Sequence, residues 1–237
     1  NGDRVGTLLC SQDERRLAVH DLENPELNWE AVLEMRVGDG LKCNLDHRGR
    51  VLFVETGVVA TTDGQVFFVD AEGTVTEHQL TSAANSPADD VAGQWPPNAI
   101  LGADIDHREE LLAVTTADGM LHVLALPSLE LVAAKEGLDA KLVNQNPYSL
   151  PMMVSPVRFA RNSSTLAVTS VGHDVVVLDA RTLAPVATLN IEDDERHSDD
   201  PFAVWNYADD IASFAWGQDD DALYLFQGES VSRHACA

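Results

Sequence analysis

Apolar residues come in short runs along this chain, separated by polar turns, and the runs repeat. "LAVTTADGMLHVLALPSLELV" spans Leu112 to Val132, and "LAVTSVGHDVVVLDARTLAPV" follows 54 residues later, from Leu166 to Val186. Aligned without gaps, the two share eight identities in 21 positions. Each reads apolar run, polar turn, apolar run, polar turn, apolar run, with many Val, Leu and Thr. That pattern predicts three consecutive antiparallel strands. No sustained 3.6-residue period competes with it.

Further copies extend the pattern. "TTDGQVFFVDAEGTV" (Thr61 to Val75) matches "TADGMLHVLALPSLEL" through a shared Asp-Gly pair, Asp63-Gly64 and Asp118-Gly119. Asp-Gly signals a hairpin because both residues accept left-handed backbone angles. "LDHRGRVLFV" (Leu45 to Val54) lines up with "IDHREELLAV" (Ile105 to Val114), so Asp-His-Arg recurs at 46–48 and 106–108. The triplet has the residue types of a metal or catalytic site, but it falls where a tight turn joins two strands. The fourth copy writes "ARNSST" there. It is therefore read as a turn.

The ends carry partial copies. "RRLAVHDLENPELNWEAVLEMRV" reads as the last two strands of a unit, and "IASFAWGQDDDALYLF" as the first two of another. Equivalent third-strand positions are Asp21, Asp70, Ala125 and Asp179, spaced by 49, 55 and 54 residues. The unit is thus four short strands, which cannot bury both faces alone. Radial packing of such units predicts an all-β β-propeller, with about four to five blades in residues 1–237 forming one propeller domain or fragment.

These segments resemble the WD40 and YVTN-like β-propeller repeat families. "WGQDDDALYLF" and "ARNSSTLAV" are similar to the strand pair "W-S-x-D-G-x-x-L-A". "VVVLDARTLAPVATL" is similar to "V-x-V-x-D-x-x-T-x-x-x-V-x-x-L". There is no Trp-Asp dipeptide; His20-Asp21 and Leu178-Asp179 occur instead. The Gly-His pair expected ahead of a WD40 first strand is missing, so that family's His–Ser/Thr–Asp–Trp tetrad cannot be assembled, and the resemblance is to a degenerate propeller. Three strands in the first unit, twelve in the next three and two or three in the last make a small ring. Either sequence outside this segment completes it, or a partner does, or the few blades close tightly. A piece of a seven-bladed ring is the expectation.

Propeller strands are structural, and binding falls to the loops. The connections between units run from Thr81 to Asn98, Gly137 to Val154 and Glu192 to Asp210. Loops above about 12–15 residues are usually functional or disordered. All three are expected on one face. They carry Trp95-Pro96-Pro97, Pro147-Tyr148 with Met152-Met153, and Phe202, Trp205 and Tyr207. Aromatic and Met side chains suit a recognition surface. Trp95, Tyr148, Met152, Met153, Trp205 and Tyr207 are the candidate partner-binding residues. The rival reading is that these rings fold back and plug gaps between blades.

Charge narrows the partner. Fifteen Lys and Arg against 39 Asp and Glu give a net charge of −24. Such a surface repels nucleic acid and permits a basic protein partner. The acidic run "EDDERHSDD" (Glu192 to Asp200) lacks the alternating ligands and glycine turn of a calcium loop, and is read as a solvated loop. "GQDDDA" (217–222) is read as a turn. Cys10, Cys43 and Cys236 have neither disulfide nor zinc spacing, and are expected as free thiols in a cytoplasmic or other reducing intracellular compartment. No apolar run approaches the roughly 18 residues of a membrane helix. No signal peptide is visible, and the first residue, Asn1, suggests a processed or excised chain.

Catalytic signals are thin. There is no G-x-S-x-G elbow, phosphate-cradling glycine loop or H-E-x-x-H. His122 falls on a strand among apolar residues and is read as a core or channel-wall side chain. The expectation is a non-enzymatic protein-interaction scaffold, with no cofactor and no metal, joined to protein partners or to other blades of a larger chain. The alternative is a YVTN- or lactonase-like propeller enzyme or small-molecule binder with its site at the channel mouth.

Overall fold

A computed structural model of the chain describes residues 4–10, 15–33, 50–62, 64–81, 100–138, 141–143, 152–154, 156–161, 164–169, 174–189, 211–227 and 230–236. They form antiparallel sheets in which each strand pairs with the next in sequence. The first sheet is β1 (Arg4–Cys10), β2 (Arg15–Asp21) and β3 (Trp29–Leu33). The second is β4 (Arg50–Val54), β5 (Gly57–Thr62), β6 (Gln65–Asp70) and β7 (Val75–Gln79). The third is β8 (Ile100–Ile105), β9 (Leu111–Thr116), β10 (Leu121–Ala125) and β11 (Leu131–Lys135). A hairpin of β12 (Lys141–Val143) and β13 (Met152–Val154) follows. The fourth sheet is β14 (Val157–Phe159), β15 (Thr165–Thr169), β16 (Val175–Asp179) and β17 (Pro185–Leu189). The fifth is β18 (Ile211–Trp216), β19 (Ala222–Gln227) and β20 (Ser230–Ala235). Among the described residues the only helical turn is Pro25–Leu27, and no helix is long and apolar enough to cross a membrane.

The apolar runs are continuous because the middle strands are buried on both faces. Along β5 and β6, Val58, Ala60, Phe67 and Val69 pack against Leu17, Val19, Ala31 and Leu33 of the first sheet. The alternating residues Val59, Val66 and Phe68 pack against Leu112, Val114 and Leu124 of the third. Leu111, Ala113, Leu121 and Val123 of the third meet Leu166, Val168 and Leu178 of the fourth. Ala167, Val175 and Val177 of the fourth meet Phe214, Leu223 and Leu225 of the fifth. Outermost strands alternate instead, as β7 does, because only one face meets a neighbouring sheet. Fully burying a side chain of this kind contributes about 1.5–3 kcal/mol, so these four seams hold the sheets together.

The first strand of each sheet lies nearest its neighbours. β4, β8, β14 and β18 contact one another in succession, and β1 contacts β4. Hydrogen bonds tie this inner tier: the Phe159 amide donates to Asp104 Oδ2 at 2.8 Å, and Trp216 Nε1 donates to the Arg158 carbonyl at 3.1 Å. In register, β1 corresponds to a second strand, because β2 ends on Asp21 as the third strands β6 and β16 end on Asp70 and Asp179. Among the described residues the first sheet therefore shows no inner strand, and the fifth no outer one.

Three sequence readings change. The apparent Asp-His-Arg repeat is out of register: Leu111 opens the second strand of its sheet, whereas Arg50 opens the first strand of its own. The true counterpart of the Asp106 turn is Glu55-Thr56. The stretch from Gly137 to Val154 is not simply a loop, because it includes both strands of the β12–β13 hairpin. At Asp118-Gly119 only the glycine takes positive φ, at 79°. Asp118 instead turns its carboxylate to the Thr116 hydroxyl, 2.5 Å away.

Candidate functional site

The sheets have two structurally different ends. At one end lie the turns joining first to second and third to fourth strands, and these are short and self-capped. Asp70 Oδ1 accepts from the Glu72 and Thr74 amides at 3.0 and 2.7 Å. Asp21 Oδ1 accepts from the Glu23 and Asn24 amides at 3.0 and 2.7 Å. Asp179 Oδ1 accepts from the Thr182 hydroxyl and amide and from the Arg181 amide. The Thr182 hydroxyl, then these backbone donors, hold the Asp179 carboxyl below the usual range. So the repeated aspartate caps a turn, as Asn and Asp side chains do. At the equivalent of Asp179, Ala125 has no such oxygen; there Leu129 and its counterpart Leu183 are both buried with φ 55°, which accounts for one identity between the opening stretches.

Asp106 has the same occupation. Its Oδ1 accepts from the Glu110 and Leu111 amides at 2.8 and 2.9 Å, while His107 and Arg108 point to solvent. Asp-His-Arg at 106–108 is a turn, as its position implied; the copy at 46–48 lies outside the described residues. "GQDDDA" is also a turn: the Gly217 amide donates to the Ala222 carbonyl, Asp220 accepts from the Arg161 amide, and Asp221 pairs with Arg233.

At the opposite end the outermost strand of one sheet stops and the innermost strand of the next begins. Leu33 to Arg50, Gln79 to Ile100, Lys135 to Val157 and Leu189 to Ile211 are the strand ends that flank the long connections, and all lie at this end. The exits are clamped alike. The Leu80 amide donates to the Gly64 carbonyl at 2.8 Å, and the Leu138 amide to the Gly119 carbonyl at 3.0 Å. Both leucines are buried. Gly119 also needs the absence of a Cβ, which would sit 2.7 Å from the Leu138 carbonyl oxygen.

Of the predicted contact residues, Met152 and Met153 lie on β13, opposite Val143 and Leu142. Trp95, Tyr148, Trp205 and Tyr207 lie outside the described residues, as do Phe202 and the acidic run from Glu192 to Asp200. Cys236 is a free thiol packed at the edge of the fourth–fifth seam, and burial pushes its thiol up. Among the described residues no three His, Cys, Asp or Glu side chains gather as metal ligands.

Two features were missed. One is a buried polar pocket of side chains in the second–third seam, around His122, Asp118 and Thr116. The histidine was noticed in the sequence, but not that its repeat equivalents are apolar. The other is a pair of sheet faces at the ends of the array that meet no neighbouring sheet among the described residues. The fifth sheet leaves Phe226 39% and Val231 59% exposed, and the first leaves Val5 and Val32 exposed. Strand alternation within each partial unit carries that signal, since one of its two faces has no partner in the repeat series.

No family model matches the sequence, and no curated protein matches it. Solved structures do match. KlHsv2 with loop 6CD replaced by a Gly-Ser linker superposes with a TM-score of 0.56 at 12% identity, over 96% of this chain and 64% of that one. Hsv2 from Kluyvelomyces marxianus gives 0.55 at 12%, with the same coverage. BamB from Moraxella catarrhalis gives 0.48 at 13%, over 81% of this chain and 49% of that one. The chain thus spans about half to two thirds of the length of these structures. Identities this low speak for architecture alone, and one architecture hosts many functions. The four-stranded antiparallel sheets, their inner tier of first strands and the likeness to Hsv2 together make this a β-propeller fold.

Proposed function

We infer that this chain is part of a WD40-like propeller that works as a non-enzymatic scaffold, binding a protein partner through the long connections on one face. The observation that carries this is positional. The strand ends that flank the long connections all lie at the same end of the sheets, while the opposite end carries short self-capped turns. Long connections on a rigid array suit recognition. With a net charge of −24, the partner best suited to it is basic, and it docks on Trp95, Tyr148, Met152, Met153, Trp205 and Tyr207. The two bare faces and two three-stranded sheets support a larger ring, of seven blades, completed by further sheets.

The test uses a purified partner identified by affinity capture. Alanine at Trp95, Tyr148, Trp205 and Tyr207 is compared with the parent chain for partner Kd and for thermal midpoint. Each true hot spot costs about 2 kcal/mol or more in binding, with melting unchanged. Loss of melting temperature with unaltered affinity would make these rings blade plugs and end the proposal.

A further inference from the structure

In the second, third and fourth sheets the third strand carries, three residues before Asp70, Ala125 and Asp179, a side chain aimed at the preceding sheet: Phe67, His122 and Val176. The register equivalent in the first sheet is Ala18. All but His122 are apolar, so the fold asks only for an apolar group there. His122 breaks the pattern. It stands opposite Val114 and Ala134 in the ladder and shares its face with Leu124, which places its ring in the seam between the second and third sheets. It is 0% exposed, and neither ring nitrogen has a hydrogen-bond partner among the described residues.

An unpartnered imidazole that is fully buried in the seam is tolerable only while neutral, because burying an uncompensated charge costs far more than burying a neutral ring. The titratable groups that face it are Asp118, on the turn after β9, and His78, on β7. Asp118 favours the charged ring, but its carboxylate already takes the Thr116 hydroxyl. His78 opposes it, and burial opposes it most. The Thr81 backbone also lies close enough to favour the charged ring, though without hydrogen-bond geometry. His78 and Thr81 bracket Leu80, whose amide clamps the exit into the connection that carries Trp95.

We propose that His122 is an acid-sensitive latch on the second–third seam: protonation of its ring opens the seam at His78–Thr81 and releases the Leu80–Gly64 clamp beneath the long connection. Histidine is the side chain whose ordinary titration range permits this. The sign follows from burial. The unfolded chain takes up the proton near the ordinary value of 6.5, the folded seam only at lower pH, so stability of the seam is lost as pH falls below 6.5.

Native-state hydrogen exchange tests it, with protection factors for Leu80 and Leu138 measured from pH 8 to pH 5. Leu138 is the control, since it makes the equivalent clamp on a seam where Val176 replaces the histidine. In the parent chain the Leu80 protection factor should fall about tenfold or more as pH drops, while Leu138 stays within about twofold. His122→Val, which borrows the residue of the fourth sheet, should remove most of the fall at Leu80. An unchanged fall in His122→Val, or an equal fall at Leu138, overturns the latch. Should the variant not fold, ring-nitrogen NMR of the parent chain decides: protonation of His122 must coincide with loss of Leu80 protection, and either event without the other overturns the proposal.

Discussion

Asp179 shows how much one oxygen atom does in this repeat. Its Oδ1 accepts three hydrogen bonds, two of them from Thr182. Replacing it by alanine should cost about 0.5–1.5 kcal/mol in chemical denaturation at pH 7, the range for hydrogen bonds on a solvent-screened group. Its carboxyl is held below the ordinary value of 3.8, so this contribution is fully present at neutral pH and lost as pH falls below that value. The gap between parent and Asp179→Ala should therefore narrow at pH 3; a constant gap would mean the loss is one of packing. Glycines make a second comparison at this scale. Gly73 and Gly119 both have positive φ, 81° and 79°. Nothing lies within 4 Å of a Cβ at Gly73, whereas one at Gly119 would strike the Leu138 carbonyl. Gly73→Ala should cost about 1 kcal/mol, and Gly119→Ala clearly more, up to about 3 kcal/mol. Equal costs would show that the clamp over Gly119 yields freely.

At the scale of elements, the sequence was most legible where strands are buried on both faces. "VVVLD" and "LHVLA" are sandwiched between sheets, so their apolar runs survive in every unit and can be aligned. Inner strands were harder. β8 reads "ILGADI" and β14 only "VRF", because the inner tier uses backbone bonds to Asp104 and indole bonds such as that of Trp216 rather than a repeated side-chain pattern. That weakness explains the slip at "LDHRGRVLFV": β4 looks like any second strand, and only the two-residue turn at Glu55-Thr56 identifies it as a first. The β12–β13 hairpin is invisible for a related reason, since two three-residue strands are too short to show a period. His122 was legible only through the repeat, by asking what its equivalents carry. Loop length and residue type are the only signals in the sequence for the candidate contact residues, and of these only Met152 and Met153 fall on a described strand.

For the whole molecule, the number of buried seams matters most. Five sheets share four apolar clusters, and among the described residues no cluster joins the fifth sheet to the first. Phe214 and Phe226 therefore make opposite predictions on adjacent strands of one sheet. Phe214→Ala should cost about 3–5 kcal/mol, since Phe214 is fully buried against the fourth sheet. Phe226→Ser should cost clearly less, because Phe226 is 39% exposed and no described sheet packs on its face. A large loss at Phe226 would mean that the array closes on itself. Charge also acts at this scale. With a net of −24, association with a basic partner should slow markedly between 50 and 300 mM salt, while dissociation changes little. Stopped-flow association at several salt concentrations reads this directly, and a salt-independent rate would remove electrostatics from the docking step.

The most direct test of the interaction face is hydrogen-exchange mass spectrometry of the chain alone and with its purified partner. Peptides covering 82–99, 144–154 and 190–210 should gain protection together, while the turns at 106–110, 126–130 and 180–184 should not change. Protection confined to those turns, or to the bare faces around Val5 and Phe226, would place the partner elsewhere and contradict the account.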